Sequence, residues 1–366
     1  MSSPQWFEAL DETLRSTLIA RGFSPTRCAS WMDAARAGRT SDEKLAGRIE
    51  PVPLDAIPAC ATIDSSEAKR LEALGEKALR QGEVAVCVLA GGMATRMGGV
   101  VKALVEVAPN KTLLDWRIDE LKAIGTRAGH TPPLWLMTSL ATDARLQAAI
   151  RDRRSTVDVA TFEQDAALRL TPEGHIWLDQ QGAPSIYATG HGDLASALAR
   201  SGLLDDFIQR GGRSIWISNI DNVGATVDPL VLGHHIDAAK ALTVELVDAR
   251  AGDRGGRPVL LDKRPVIAED FRFPEDVDPS SLPTFNTNTF LVDARALATL
   301  DMSWTYFRVE KSVENTTVVQ FERLMGEMTF GLEPAFLRVS RDGPESRFCP
   351  LKTQADLDLL REATCA

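Results

Sequence analysis

Short runs rich in apolar residues alternate with amphipathic stretches along the middle of the chain. Three such runs, at 84–89, 134–138 and 157–162, have the length and composition of buried strands. The stretches over 112–125 and 142–151 carry apolar residues at helical spacing, and we expect the glycine at position 125 to end the first helix. This alternation predicts an α/β fold in which helices cover both faces of a mixed, mostly parallel sheet.

The N-terminal part has a different pattern, which predicts a layer of helices. Apolar residues recur at helical spacing through residues 1 to about 50 and again over 66–81, and a proline-containing connection at 50–61 separates the two stretches. We therefore predict an N-terminal helical segment, residues 1–82, packed on a main domain formed by residues 83–366. Three further strand patterns and one helical pattern follow in that domain, at 242–247, 258–261, 265–268 and 320–328.

The first buried strand leads into a glycine-rich stretch at 90–99. Gly91 and Gly92 come just after the strand, and two cations, Arg96 and Lys102, flank the loop. Glycines let a backbone approach a ligand closely, so a turn of this kind at the carboxyl end of a strand suits a phosphate chain. The stretch lacks the Gly-Lys pair of the Walker loop and the G-x-G of the dinucleotide fingerprint. We expect a phosphate-binding loop of another type, with a plain tight turn as the alternative.

Other polar residues stand where later predicted strands end, so we expect them at the same edge of the sheet. Gln164 offers a donor and an acceptor, as reading a nucleobase edge requires, although a solvated loop glutamine fits the same pattern. Gly190 and His191 precede Asp193, which can cap the helix that follows. A helix N-terminus beside a histidine suits phosphate or sugar hydroxyls.

Carboxylates and carboxamides in the second half of the chain indicate a metal site and a sugar site. Asp221 follows an apolar strand and Asn219, and a hard oxygen ligand there could hold Mg²⁺ against a triphosphate; an Asx-turn is the alternative. Asn286 and Asn288 are two residues apart on a predicted strand, so both side chains should face one side and bind sugar hydroxyls or backbone groups. Lys352 precedes a helix that a Thr-x-x-Asp capping pair opens, where a cation and the helix dipole can act on one anion.

Charge and cysteine usage narrow the class of protein. The formal net charge of −10 argues against nucleic acid as the main partner, because no basic field would gather phosphates. No apolar run approaches the length of a membrane span, and the N-terminus lacks the pattern of a signal peptide. The five cysteines include no C-x-x-C pair, which favours a reducing, cytoplasmic compartment.

Five motifs in this order resemble those of the eukaryotic-type UTP–glucose-1-phosphate uridylyltransferases, also called UDP-glucose pyrophosphorylases. The resemblance covers roughly residues 84–359. It implies a Rossmann-like, GT-A-like nucleotidyltransferase fold and Mg²⁺-assisted transfer of uridylyl from UTP to a hexose 1-phosphate, and it leaves the oligomeric state open. The motifs are the glycine-rich loop with Lys102, Gly-His-Gly-Asp at 190–193, Asn-x-Asp-Asn-x-Gly-Ala at 219–225, Phe-Asn-Thr-Asn at 285–288 and Lys-Thr at 352–353.

The resemblance also implies roles for individual residues, with Asp221 as the Mg²⁺ ligand. The residues expected to act in catalysis are Arg96, Lys102 and Lys352. The residues expected to bind the nucleotide are Ala90, Gly91, Gly92, Gln164 and Gly190. The residues expected to bind the sugar phosphate are His191, Asn219, Gly256, Glu269, Asn286 and Asn288.

The effect of two departures from the family pattern stays open, and so do three alternative functions. Arg254 stands where the family has Lys before Gly-Gly, and Ala94 stands where many members have Gly; Ala is strained if that position needs a positive φ. The first motif alone also resembles the molybdopterin-guanine dinucleotide synthases, which use GTP. N-acetylhexosamine 1-phosphate uridylyltransferases are a closer alternative, although that family tends to carry Asn where His191 stands. A non-catalytic sugar-nucleotide-binding regulator on the same fold is the third.

Overall fold

A computed structural model describes residues 4–38, 44–94 and 98–365, with side chains to residue 361. In this part of the chain no helix is both long enough and apolar enough to cross a membrane. The strands are β1 (Ile49–Pro51), β2 (Val84–Leu89), β3 (Met93–Ala94), β4 (Val100–Val101), β5 (Glu106–Ala108), β6 (Lys111–Thr112), β7 (Leu134–Thr138), β8 (Val159–Glu163), β9 (Ala166–Leu168), β10 (Ile186–Ala188), β11 (Ser214–Asn219), β12 (Leu242–Asp248), β13 (Gly256–Leu261), β14 (Arg264–Glu269), β15 (Thr284–Asp293), β16 (Phe307–Val313), β17 (Thr316–Glu322) and β18 (Pro334–Arg338). The α-helices are α1 (Gln5–Glu8), α2 (Glu12–Ala20), α3 (Pro25–Arg36), α4 (Ser66–Arg80), α5 (Leu113–Ala128), α6 (Asp143–Arg153), α7 (Leu194–Ser201), α8 (Leu203–Gln209), α9 (Pro229–Ala238), α10 (Ala294–Ala298), α11 (Met328–Gly331) and α12 (Gln354–Cys365).

In the described part of the chain, seven strands form the central sheet, in the order β18-β12-β15-β11-β2-β7-β8. Six of them run parallel, and β15 runs antiparallel to its neighbours β12 and β11. The prediction of a mixed, mostly parallel α/β sheet is therefore confirmed. The strand patterns at 258–261 and 265–268 lie outside this sheet, because β13 and β14 pair with each other and with β1 in a small antiparallel sheet.

Both faces of the central sheet are buried, which explains the uninterrupted apolar sequence of β2. Val84, Val86 and Val88 contact an apolar cluster on one face that includes residues of α4, α5 and α9. Ala85 and Cys87 contact the cluster on the other face, which includes residues of α7, α8 and α10. Burial on both faces is typical of parallel strands between two helical layers.

The described parts of the N-terminal segment contact the main domain along much of their length. Helices α1, α2 and α3 pack with residues of β9, β10 and β17, and the rings of Trp31 and Phe321 stack there with centroids 5.2 Å apart. Strand β1 extends the β13–β14 sheet, so the proline-containing connection begins with a short strand. Helix α4 packs against α9. The domain boundary at residue 82 stays a prediction.

The helix predicted over 320–328 was wrong. Strand β17 continues to Glu322 as one half of a hairpin with β16, and a 3₁₀ turn and the short α11 follow it. Val319 also exchanges two backbone hydrogen bonds with Leu170, at 2.8 and 3.0 Å. The first four residues of β17, 316–319, are all β-branched, and pairing on both sides of this strand extends it into residues 320–322 despite the helical spacing of the apolar positions there.

The ends of α5 agree with the sequence only in part. The predicted capping box is present, with both hydrogen bonds between Thr112 and Asp115. Gly125 does not end the helix, which continues to Ala128 and stops at Gly129, where φ is 76°. A positive φ is what a helix-ending glycine supplies.

The crossing of α4 and α9 depends on two glycines. A Cβ on Gly75 would lie 1.9 Å from the carbonyl oxygen of Pro229, and a Cβ on Gly233 would lie 1.9 Å from that of Leu71. Both distances are far below van der Waals contact, and both neighbours are backbone atoms that cannot rotate away. The backbones of the two helices are therefore in direct contact.

We expect Gly75→Ala to lower the free energy of unfolding by about 1–3 kcal/mol, because the added methyl group forces α4 and α9 apart. Helix propensity alone predicts a gain of about 1 kcal/mol, since alanine is the better helix former. Urea unfolding measures the sign, and Glu72→Ala, at an exposed position of the same helix, is the control. A stabilised Gly75→Ala variant would contradict the close crossing.

Candidate functional site

A cavity of about 470 Å³ lies where the carboxyl ends of β2, β7, β8 and β11 meet. This edge is the expected position of a ligand site in a parallel α/β sheet. Nine residues singled out from the sequence line the cavity: Gly91, Gly92, Lys102, Gln164, Gly190, His191, Asn219, Asp221 and Asn288. The other lining residues are Leu89, Ser139, Ala188, Ile220 and Glu322.

An ion pair joins two of the segments that line this central cavity. The backbone N–H of Lys102 donates to the carbonyl oxygen of Gly92 at 3.1 Å, which holds the lysine against the glycine-rich loop. The Nζ atom of Lys102 lies 2.8 Å from Oδ2 of Asp221, whose side chain is only 8% exposed. One pair of opposite charges therefore fixes the loop after β2 to the loop after β11.

The remaining residues of the glycine-rich stretch have different surroundings. Ala90 is fully buried and its N–H donates to the carbonyl oxygen of Met137 at 2.8 Å, so it holds the start of the loop and does not line the cavity. Ala94 belongs to β3 and its φ is not positive, so alanine is unstrained there. Arg96 lies outside the described residues, and its role stays a prediction.

Ser139 and Gln164 form one wall beside the loop. The Ser139 hydroxyl donates to the carbonyl oxygen of Gly91 at 2.8 Å, and a Cβ on Gly91 would lie 2.8 Å from Nε2 of Gln164. The amide of Gln164 is therefore close to the loop backbone. Ser139 was not predicted; its position directly after β7 is the sequence signal that could have identified it.

Carboxamide side chains connect β11 with β15. Nδ2 of Asn288 donates to Oδ1 of Asn219 at 3.0 Å, and the backbone N–H of Asn288 donates to Oδ1 of Asn286 at 2.9 Å. The regular alternation expected here is broken, because the register of β15 against β12 shifts and Asn288 has a φ of 61°. As a result, Asn288 lines the central cavity and Asn286 does not.

Glu269, Gly256 and Asn286 form a second group, which does not line the central cavity. A Cβ on Gly256 would lie 3.1 Å from Nδ2 of Asn286 and 3.3 Å from Oε1 of Glu269. Glu269 lines another cavity, of about 560 Å³. Burial, followed by the charge of Asp270, raises the pKa of Glu269 to about 7. The hydrogen bond between Asn288 and Asn286 connects this group to the central cavity.

The backbone next to Lys352 lies beside the site. The N–H of the preceding residue, Leu351, donates to the carbonyl oxygen of Asp221 at 2.9 Å. The predicted capping pair is present, because the N–H of Thr353 donates to Oδ2 of Asp356 at 2.7 Å and the N–H of Asp356 donates to the Thr353 hydroxyl. The side chain of Lys352 is exposed and does not line the cavity.

The turn from Gly190 to Asp193 is fitted closely to the chain at Arg323. A Cβ on Gly190 would lie 2.6 Å from the carbonyl oxygen of Arg323, and a Cβ on Gly192 would lie 2.6 Å from its Cβ. The glycines thus admit a neighbouring segment of the chain, a reason that differs from the expected approach to a ligand. Asp193 does not cap α7 as predicted, because its carboxylate accepts hydrogen bonds from Arg323 and from Thr189, each at 2.6 Å.

His191 lines the cavity as a neutral group. Its Nδ1 accepts a hydrogen bond from the backbone N–H of Met325 at 3.0 Å, which assigns the ring proton to Nε2. Burial lowers the pKa of His191 to about 4. At neutral pH this residue therefore offers the cavity a hydrogen-bond donor and no charge.

The acidic groups of the site are few. Among the residues that the structure describes, no group of three or more His, Cys, Asp or Glu side chains could hold a metal ion. Of the residues that the structure describes, Asp221 and Glu322 are the carboxylates that line the central cavity. Glu322 was missed by the sequence reasoning, because its segment was assigned to a packing helix.

The strand order and the polar cavity at the strand ends define an α/β protein with the Rossmann-like, GT-A-like nucleotidyltransferase fold. A sequence model of the UTP–glucose-1-phosphate uridylyltransferase family matches residues 33–366. The chain belongs to this family.

Individual relatives agree with this assignment. The UTP–glucose-1-phosphate uridylyltransferase of Hordeum vulgare is 29% identical over 294 residues, which are 76% of this chain and 62% of the relative. The chain therefore spans about three fifths of that relative's length. The solved UDP-glucose phosphorylase of Trypanosoma brucei superposes with a TM-score of 0.75 at 25% identity, over 94% of this chain and 77% of that one. The UDP-N-acetylglucosamine pyrophosphorylase of the same organism has a TM-score of 0.78 at 21% identity, over 97% and 80% of the two chains, which shows a shared fold.

We expect the ring of His191 to stay neutral down to about pH 4. The unfolded chain takes up this proton near pH 6.5 and the folded chain does not, so the free energy of unfolding should fall as the pH falls from 6.5 to 4. His191→Gln should remove about 1–2 kcal/mol of the loss between pH 7 and pH 5, measured by urea unfolding.

The exposed His175→Gln is the matched control for this measurement. Nitrogen-15 shifts of the imidazole rings report protonation directly. Titration of His191 near pH 6.5 would contradict the neutral ring.

Proposed function

We propose that this protein transfers the uridylyl group of UTP to a hexose 1-phosphate, with glucose 1-phosphate as the preferred acceptor, and releases a UDP-sugar and pyrophosphate. Membership of the uridylyltransferase family supports this activity. The observation that carries the proposal is the Lys102–Asp221 pair at 2.8 Å in a cavity formed by strand ends. A cation and a carboxylate side by side suit a ligand that brings both phosphates and a divalent ion.

The proposed chemistry requires positioning and charge stabilisation. The phosphate of the sugar attacks the α-phosphorus of UTP in line, and pyrophosphate leaves. Lys102 neutralises charge on the triphosphate, and Arg96 is proposed to act with it. No side-chain nucleophile is needed for this displacement.

The donor set of the cavity fits a Mg²⁺ ion that arrives with the nucleotide. Mg²⁺ is typically held by one or two carboxylates together with substrate phosphates and water, and Asp221 supplies one carboxylate. When bound, the ion would neutralise charge on the triphosphate. The chain's own contribution is to hold the Asp221 carboxylate beside Lys102 at the end of β11.

The two substrates are proposed to occupy different walls of the cavity. Gln164 and the backbone at Gly190 would bind uracil, while Asn219 and Asn288 would bind the hexose phosphate. His191 would donate its Nε2 proton to the sugar phosphate as a neutral group. Lys352 would need to turn its exposed side chain toward the cavity for its predicted role.

We also propose a cytoplasmic compartment and a role in carbohydrate metabolism, with no nucleic-acid partner. The four cysteines Cys28, Cys60, Cys87 and Cys349 form no disulfide, which suits a reducing environment.

The deciding experiment is a matrix of nucleoside triphosphates against sugar 1-phosphates, with Mg²⁺ present and pyrophosphate release as the readout. Release with UTP and glucose 1-phosphate is expected. A preference for N-acetylglucosamine 1-phosphate would instead identify the protein as an N-acetylhexosamine 1-phosphate uridylyltransferase. Binding of UDP-glucose without turnover in either direction would make it a sugar-nucleotide-binding regulator.

We expect Lys102→Met to lower turnover roughly a hundredfold or more, because a charge that stabilises the transition state is lost. The variant should still fold, at a cost of about 1–3 kcal/mol for the unpaired carboxylate of Asp221. The double variant Lys102→Met, Asp221→Asn should regain stability but not activity. Lys111→Ala, which breaks an exposed pair with Asp119, is the control. Near-normal turnover of Lys102→Met would refute the catalytic role.

The family resemblance assigns Glu269 to the sugar phosphate, and we propose that the hexose extends from the central cavity past Asn286 to this carboxyl group. UDP-glucose should then bind more tightly as the pH rises through about 7, because Glu269 becomes a carboxylate that accepts hydrogen bonds from sugar hydroxyls. Calorimetric affinity should fall roughly tenfold from pH 8 to pH 6. Glu269→Gln should be insensitive to pH over this range, and the exposed Glu275→Gln should behave as the wild type. If Glu269→Gln showed the same pH dependence as the wild type, Glu269 and its cavity would have no part in sugar binding.

A further inference from the structure

Glu322 lies in the central cavity, yet the proposed reaction assigns it no role. It is the last residue of β17 and lines the cavity together with Ala188 and His191. Its side chain is 26% exposed. The other carboxylate that lines the cavity, that of Asp221, already has a cation at 2.8 Å.

The backbone on both sides of Glu322 is fixed by hydrogen bonds. The hydroxyl of Tyr187 accepts from the N–H of Phe321 at 2.7 Å and lies 3.2 Å from its carbonyl oxygen. The N–H of Arg323 donates to the carbonyl oxygen of Thr189 at 2.7 Å. The backbone position of Glu322 is therefore set before any ligand binds, which supports a selective contact.

The side chain of Arg323 adds a second constraint. It is 4% exposed, and its guanidinium donates to Asp193 at 2.6 Å and to Asp165 at 2.8 Å. Moving Glu322 away from the cavity would separate these buried charges, which is costly. Glu322 thus stands at the end of a rigid strand.

The carboxylate of Glu322 keeps capacity to accept hydrogen bonds. Its ion partner is Lys311, at 3.4 Å, and the lysine side chain is 46% exposed. Exposed pairs of this kind contribute little energy. A carboxylate has about four lone-pair sites, so donors on a ligand can still bind to this one.

Charge decides which part of a nucleotide can approach Glu322. A carboxylate repels phosphates, whereas the cation of Lys102, which also lines the cavity, attracts them. Glu322 directly precedes Arg323, whose backbone nitrogen would lie 3.4 Å from a Cβ on Gly190. The backbone at Gly190 is proposed to bind uracil, so Glu322 stands at the end of the cavity assigned to the uncharged nucleoside.

We propose that Glu322 is a specificity-determining residue that accepts hydrogen bonds from O–H or N–H groups of the nucleoside part of UTP. This inference rests on the proposed function, since it takes UTP as the ligand. Uridine offers such donors at the ribose hydroxyls and at N3 of uracil. A nucleotide without the matching donor leaves a desolvated carboxylate unpaired, and its affinity falls.

The test compares the binding of UTP by calorimetry to the full-length protein and to Glu322→Gln. We expect the variant to bind UTP roughly tenfold more weakly, because a charged acceptor is replaced by a neutral one. The KM for glucose 1-phosphate and the midpoint of thermal unfolding should not change. Glu310→Gln, at an exposed position of the same hairpin, should bind UTP as the wild type does.

Two analogues identify the donor. The wild type should bind either 2′-deoxy-UTP or 3-methyl-UTP more weakly than UTP, according to which group contacts Glu322. Glu322→Gln should no longer distinguish that analogue from UTP. Unchanged UTP affinity in Glu322→Gln, or discrimination of both analogues as in the wild type, would overturn the inference.

The same measurements separate this inference from the proposed reaction. UTP binding that depends on Glu322, without pyrophosphate release from any sugar phosphate, would support the inference and remove the proposed function. Turnover with UTP that Glu322→Gln leaves intact, with unchanged affinity, would do the reverse.

Discussion

The ion pair between Lys102 and Asp221 is the interaction on which the central cavity depends. The Asp221 carboxylate is almost completely buried, and an unpaired charge in such a place is costly. Lys102 supplies the opposite charge from a loop 119 positions earlier in the chain. The pair therefore stabilises the site and fixes the distance between two strand ends. In the proposed reaction, phosphates and a divalent ion would take over the two halves of this pair.

A second set of contacts joins the cavity to the outer parts of the chain. Arg323 links Asp193, in the turn beside His191, with Asp165, next to Gln164. A Cβ on Gly22, just after α2, would lie 2.5 Å from Oδ1 of Asp165. The N-terminal helices are therefore packed against the charges that hold two walls of the cavity. Their contribution to the site is positional, because none of their residues lines it.

Much of the fold follows from local pattern. Strand β2 was recognisable because a strand buried on both faces must be apolar throughout, and the start of α5 because its capping residues bond to their own backbone. The helix predicted over 320–328 was wrong for the opposite reason. Residues 320–322 pair with β16, and the preceding Val319 pairs with Leu170; the local spacing of apolar residues does not report these contacts. Because of that error, Glu322 was not recognised as a residue of the central cavity.

The sequence by itself determined which residues end the parallel strands, and parallel strands place their carboxyl ends at one edge. This is why Lys102, Gln164, Asn219 and Asp221 could be assigned to one site. Tertiary structure decided the rest. The register shift of β15 placed Asn288 in the central cavity and left Asn286 beside Glu269. The backbone at Arg323 packs so closely against positions 190 and 192 that only glycine fits there. Register shifts and contacts between distant segments depend on the whole packed chain, so no local pattern encodes them.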